Sequence, residues 1–290
     1  MGIATNLFVY PIKSCRGVAV DEIAVTDLGL DNDRRWMIVD GNGRFLTIRD
    51  FPDMVRIVPT VLVKKANEPV LHIVIAEEDG TISKSSINFT VDWSKSTQEV
   101  AVKVWFSDLK ALDCGAHASR ILSAFLGVPV RLVRFLDTEI RLCNALWTKE
   151  LVAKTLFTDG YPLMVLAKES ISDLSGRMKL DSLDVERFRP NILIDGLEAY
   201  EEDFIHEMIF EDGTSDPIVL RLVKPCPRCF VPRVHPRTGA LAAFDPNLEL
   251  SGYRMNAQAG GAVLGMKALA YKGLGKVLKT GSSFDALYAF

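Results

Sequence analysis

Short apolar runs rich in β-branched and aromatic residues recur along the chain, each cut off by glycine, proline, asparagine or aspartate. This punctuation restricts the fold more than any other feature. Residues 7–10, 36–39, 55–63, 70–76, 100–105 and 130–135 have the length and composition of strands. Val18, Val20, Ile23 and Val25 mark another, whose alternation slips at Asp21-Glu22. Asp40-Gly-Asn-Gly43 is a turn signal, and Arg44-Phe-Leu-Thr-Ile48 reads as the strand returning from it. The first part of the chain is therefore expected to be a β-sheet domain.

Helices are few. In residues 114–127, Ala118, Ile121, Leu122 and Phe125 share a face, and Gly127 with Pro129 ends the run, so a helix capping the sheet is expected there. A soft boundary near residue 132 divides the chain into 1–132 and 133–290. Beyond it, residues 163–167 read as a buried strand, and Ser170 reads as an N-cap with Asp173 three residues on, opening a short helix through Met178. Residues 192–194 and 218–223 are further strands, while 263–271 and the last twenty residues read as one or two weak ones. The fold class expected is mostly β (α+β).

At 290 residues, 48% apolar and 24% charged, the composition is that of a globular protein and excludes disorder as the main state. A net charge of −3 provides no general basic field for nucleic acid or anionic membranes, so any anion site must be local. No apolar run approaches the roughly 20 residues that span a bilayer, so no transmembrane segment is expected. Met1 leads almost directly into the first strand, leaving no room for a secretory signal, and Asn6 breaks the myristoylation pattern. Five cysteines at irregular spacing fit a reducing compartment, cytoplasmic by default, with mitochondrial association if an N-terminal segment has been trimmed.

The chemistry concentrates in Leu222-Val-Lys-Pro-Cys-Pro-Arg-Cys-Phe-Val-Pro-Arg-Val-His-Pro-Arg-Thr-Gly239. Pro225, Pro227 and Pro232 make this segment neither a helix nor a central strand and hold Cys226 and Cys229 on a stiff turn. Four readings stay open. A structural zinc site needs more ligands than His235 supplies nearby, and a thioredoxin-like pair needs a helix to follow. The cysteines could simply be packed in a turn, or one thiolate could complete the coordination of a soft metal within a larger cofactor.

Lys13, Arg34, Arg35, Arg189, Lys224, Arg228, Arg233 and Arg237 all fall in loops or at strand ends, which suggests a phosphate or carboxylate pocket as well as a solvated surface. Lys13-Ser-Cys-Arg-Gly17 likewise reads as an anion-holding turn or an ordinary hairpin. Neither His117 nor Cys114 acquires a role. No G-x-S-x-G, P-loop, G-x-G-x-x-G or H-E-x-x-H pattern is present, and histidines 72, 117, 206 and 235 support no triad.

Taken together, Tyr10-Pro-Ile-Lys-Ser-Cys-Arg-Gly17, Asp33-Arg-Arg-Trp36, Phe188-Arg-Pro-Asn191, Pro225-Cys-Pro-Arg-Cys229 and Pro236-Arg-Thr-Gly239 resemble the MOSC proteins, nearest to the amidoxime-reducing component type. The resemblance implies a MOSC β-barrel with an N-terminal β-domain and a few short helices. It implies a molybdenum–molybdopterin cofactor with one protein thiolate on the metal, here Cys229. Lys13, Ser14, Arg34, Arg189, Asn191 and Arg228 would bind the pterin and its phosphate, and Thr158, Asp159 and Gly160 would wrap the cofactor. Pyridoxal phosphate binding is also associated with the family.

The implied activity is reduction of N-hydroxylated compounds (amidoximes, N-hydroxylated bases, hydroxylamines) to the parent amine or amidine, with release of water. A carrier or sulfur-handling module that holds the cofactor without turnover is the alternative. Electrons would come from a separate cytochrome b5-like, flavodoxin-like or ferredoxin-like protein. Two departures from the family stand out: Ala167-Lys168 where Ser-Glu is frequent, and Val234-His-Pro236 where Val-Asp-Pro is frequent.

Overall fold

A computed structural model describes residues 1–63, 69–96, 98–211, 213 and 215–288. The chain opens on β1 (Gly2–Val9), followed by β2 (Trp36–Asp40), β3 (Ile57–Val63), β4 (Pro69–Ile75), β5 (Ile87–Val91), β6 (Glu99–Val104) and β7 (Ser107–Asp113). Helix α1 (Ala116–Leu126) and β8 (Val130–Phe135) complete the first half. The second half contains α2 (Ala145–Thr148), β9 (Leu163–Ala167), α3 (Lys168–Arg177), β10 (Ile192–Asp195), β11 (Ile205–Phe210), β12 (Ile218–Pro227), α4 (Pro246–Ser251), β13 (Gly261–Lys272) and β14 (Ser283–Tyr288).

Seven strands close a barrel in the order β9-β10-β1-β14-β11-β12-β13, with β13 returning to β9. Closure leaves these strands without a free edge. Leu7, Val165, Ile194, Leu220 and Ala268 are fully buried inside the barrel, while Met164 and Leu166 of β9 face outward under α3 and α4. All five residues of β9 are therefore buried, which is why it reads as a continuous apolar run. Gly265 has φ of +70°, and an added Cβ would stand 2.7 Å from the Val165 carbonyl, so glycine is what lets β13 approach β9 this closely.

Besides the barrel there are a four-stranded sheet β2-β8-β7-β6, a three-stranded sheet β3-β4-β5, and a small three-stranded sheet in which Glu22–Thr26 pairs with Val277–Lys279 and Gly29–Leu30. Trp36, Ile57, Leu71, Phe89 and Leu132 fill the core between the first two, covered by Ala118 and Leu122 of α1. Residue 132 lies within β8, which pairs with β2 and β7, and β1 belongs to the barrel although it begins the chain.

Several elements differ from the sequence expectations. Residues 44–48 return along the edge of β2 opposite β8, where Phe45 bridges Val39 and Leu46 N donates to the Ile38 carbonyl. They form only isolated bridges, because Ile12 and Lys13 take the Trp36 end of that edge and Arg44 bridges Lys103 instead. Helix α3 begins at Lys168 rather than after Ser170, whose hydroxyl instead donates to Glu202 Oε2 at 2.7 Å. β12 continues through Pro225 to Pro227, where it pairs with β13 alone and its register shifts. Proline is tolerated there because no second strand needs its missing N–H. The expected weak C-terminal strands include the twelve-residue β13, and residues 289–290 of the last run lie outside the described residues.

Candidate cofactor and substrate site

A cavity of about 210 Å³ opens at the seam between the two halves. Phe45, Thr47, Arg49 and Trp105 line it from the N-terminal sheets; Met164, Lys224 and Lys267 line it from the barrel. Eight cationic side chains face it against one carboxylate, Asp159, although the whole chain is net acidic. Ser14, Arg34, Trp105 and Arg189 have positive φ, making up half of the eight non-glycine residues that do so among those described, and all four line the cavity. Backbone strain is thus gathered where the side chains converge.

Lys13, only 5% exposed, donates from Nζ to Asp159 Oδ1 at 2.5 Å, and Trp105 Nε1 donates to the same oxygen at 3.1 Å. Burial pushes the Lys13 ammonium below its usual range against the pull of Asp159. The crowded pocket pushes the Asp159 carboxyl up, but Lys13, Lys267 and Trp105 outweigh that effect and hold it well below the usual carboxylate range. Arg141, itself buried, donates to the Leu156 and Thr158 carbonyls and so pins the loop that presents Asp159.

Arg34 and Arg189 each lie 4.2 Å from the Tyr10 ring. Arg34 Nη1 donates to Asp33 Oδ2 at 2.5 Å and Asn191 Oδ1 at 3.0 Å, while Arg189 Nη1 donates to the Cys15 carbonyl at 2.8 Å. These bonds leave part of each guanidinium fork available to the cavity. Arg228 is different: it donates to the Leu264 and Phe188 carbonyls and to Met164 Sδ, so most of its fork ties strands together. Asn191 accepts from Arg34 and Met164 N and donates to the Phe8 carbonyl, which makes it a tie between β1 and β9.

Cys229 lies at the cavity wall, half-buried, and Arg49 Nη2 stands 3.2 Å from its sulfur. Arg49 is also stacked 5.4 Å from the Trp105 ring centre. Burial lowers the pKa of Arg49, but its bond and charge interaction with Cys229 outweigh this and raise it. Cys226 is buried in the same wall. Among the described residues no three or more His, Cys, Asp or Glu side chains cluster as a metal site would require.

The structure therefore brings Lys13, Ser14, Arg34, Thr158, Asp159, Arg189, Asn191, Arg228 and Cys229 into one cavity lining. Gly160 is not in that lining; its N–H turns back to Thr158 Oγ1 at 3.3 Å. Arg35, Arg233 and Arg237 are engaged elsewhere, with Asp137, the Ala242 carbonyl and Glu186 respectively. His235 faces its own turn, its Nδ1 accepting from Arg237 N and Thr238 N. Sequence reasoning missed Arg49, Trp105, Arg141 and Lys267. The lone cation Lys267 within the apolar run 261–270 was the one signal available.

Residues 1–129 match the MOSC N-terminal beta barrel domain and residues 153–281 match the MOSC domain. The chain is 30% identical to mitochondrial amidoxime reducing component 2 of Rattus norvegicus over 265 residues, covering 88% of this chain and 73% of that protein. It is 28% identical to mitochondrial amidoxime-reducing component 1 of Homo sapiens over 271 residues, covering 88% and 72%. The solved YUAD protein of Bacillus subtilis matches at a TM-score of 0.30 and 10% identity, over 50% of this chain and 73% of that one, too weakly to carry an argument. Two family domains in order and a relative matched over most of both lengths lead to one conclusion: the chain belongs to the MOSC family, in its amidoxime-reducing component branch.

Proposed function

We propose that this chain is a molybdenum-cofactor-dependent reductase of N-hydroxylated compounds. The observation that carries the reading is the thiol of Cys229, contacted by Arg49, in the wall of a cavity with eight cations and one carboxylate. The donor set fits an anionic pterin cofactor carrying a thiophilic metal. One accessible thiol suits such a metal, guanidinium groups suit a phosphate, and the buried Tyr161 hydroxyl, in a residue of the cavity lining, has no hydrogen-bond partner among the described residues. The relatives are named for amidoxime reduction, which supports the substrate class.

Cys229 would hold the metal, with Arg49 fixing the sulfur from the N-terminal half. Ser14, Arg34 and Arg189 would hold the phosphate through the donors that their protein partners leave free. When bound, the cofactor supplies two-electron chemistry at the metal. Reduction of an N–OH group to N–H consumes two electrons and two protons and releases water. Lys13 Nζ, oriented by Asp159 at the cavity wall, would be the proton donor to the departing oxygen. Asp159, held ionised, orients rather than donates. Electrons would arrive from a separate redox protein.

The test combines metal content with turnover. Protein loaded with molybdenum cofactor and given dithionite should convert benzamidoxime to benzamidine; Cys229→Ala should lose both metal and turnover, and Cys226→Ala should keep the metal. Equal molybdenum in Cys229→Ala and wild type would remove the ligand assignment. Bound metal without turnover would identify a carrier instead.

A further inference from the structure

Lys224 and Lys267 are direct cross-strand partners in the antiparallel β12–β13 pair, and both line the cavity. Partners in such a register put their side chains on the same face of the sheet, where like charges repel. Neither lysine is bonded to a carboxylate among the described residues; Lys224 stands 5.1 Å from the Trp147 ring centre. Asp159, the one carboxylate lining the cavity, is already bonded by Lys13 and Trp105, and Lys267 reaches it only through charge. Lys13 and Lys267 thus share one carboxylate while Lys224 faces an aromatic ring, leaving an excess of positive charge on the barrel wall. A concave, partly enclosed wall of one sign concentrates ions of the other.

The two lysines also belong to different elements from the groups assigned to the cofactor phosphate. Ser14, Arg34 and Arg189 project from the turns that follow β1 and precede β2 and β10, whereas Lys224 and Lys267 project from β12 and β13. We propose that Lys224 and Lys267 form an oxyanion subsite for the substrate, so that the compounds this chain prefers carry a carboxylate or phosphate in addition to the N-hydroxylated group. The proposal rests on the reductase reading for the reaction, and the subsite itself is tested by binding.

The probes are 4-carboxybenzamidoxime and neutral benzamidoxime, titrated by calorimetry into the cofactor-loaded chain, wild type and Lys224→Met/Lys267→Met. Methionine keeps the apolar stem and removes the charge. Wild type should bind the carboxylated probe about tenfold or more tighter than the neutral one, the scale of one or two charged hydrogen bonds. That ratio should fall to near one in the double variant and to intermediate values in each single variant, and the ratio of kcat/KM should follow it. Thermal melting checks that each variant is folded, and the single variants carry the test if the double variant is not.

Equal affinity of wild type for the two probes overturns the subsite, and an unchanged ratio in the variants overturns the choice of lysines. Loss of pterin from the double variant, read as oxidised-pterin fluorescence, would assign the lysines to the cofactor phosphate and also overturn the proposal. If the loaded chain binds both probes with the expected ratio yet reduces neither, the reductase reading fails while the subsite stands.

Discussion

Arg49 Nη2 stands 3.2 Å from Cys229 Sγ, joining residues 180 positions apart and closing the cavity from opposite halves of the chain. Arg49→Met should retain packing against Trp105 while losing the contact to sulfur. Molybdenum content after cofactor loading should fall about tenfold, in keeping with the loss of a hydrogen bond to a charged group, roughly 1.5–3 kcal/mol. Arg49→Lys should restore little of it, since an ammonium cannot stack and reach as a planar fork does. Metal content equal to wild type would mean that Arg49 does not support the thiol.

Asp159→Asn keeps the shape of the Lys13 partner and removes its charge. Breaking a fully buried pair costs about 3–5 kcal/mol. The Asp159 side chain is 57% exposed, so solvent screening reduces the expected loss to about 1–2 kcal/mol, measured by urea unfolding at neutral pH. Because the folded carboxyl is held below its ordinary range, its contribution is present above the unfolded pKa and lost as pH falls through the lower folded value. Wild type should therefore lose stability on the acid side in a step that the Asn variant lacks.

His235 accepts two backbone N–H groups at Nδ1, 3.3 Å from Arg237 N and 3.2 Å from Thr238 N, as an aspartate would in such a turn. Burial, followed by the Arg187 charge, lowers its pKa. Its contribution is thus full above the unfolded value near 6.5 and is lost as pH falls through the folded one. His235→Asp should flatten this part of the melting profile between pH 7.5 and 5, and His235→Ala should cost about 1 kcal/mol at neutral pH. An unaltered profile in His235→Asp would show that the turn does not sense His235.

Glu202 is fully buried beneath β9, accepting from Ser170 Oγ and Ala167 N. Burial pushes its carboxyl up to about 7. The folded state therefore binds this proton more tightly than the unfolded state, and stability should decline as pH rises from about 4.5 to 7. Glu202→Gln should remove that slope and be about 1 kcal/mol more stable at pH 8, read from denaturation midpoints. A steeper slope in the variant would contradict the assignment.

Local chemistry made much of the fold legible. The runs at 36–39, 130–135 and 163–167 became strands because β-branched composition and turn residues act over a few positions. Residues 44–48 were misread for the opposite reason: they have strand composition and do turn back along β2, but how far they pair depends on Ile12 and Lys13, which come from outside the hairpin and take the rest of that edge. Pro225 and Pro227 were misplaced because a proline's cost depends on whether a second neighbour needs its N–H.

The same division runs through the site. By itself the sequence determined the kinds of groups available: a proline-stiffened segment with two thiols, cations in turns, and the motifs that mark the family. Only the tertiary structure decided which groups are available to a ligand. Arg228 and Asn191 lie in the cavity lining but direct most of their hydrogen-bonding capacity to backbone and neighbouring side chains, whereas Arg49, Trp105 and Lys267 arrive from elements with no motif. Identity and spacing are properties of the chain; exposure, pairing and net charge within a cavity exist only once distant strands have closed around it.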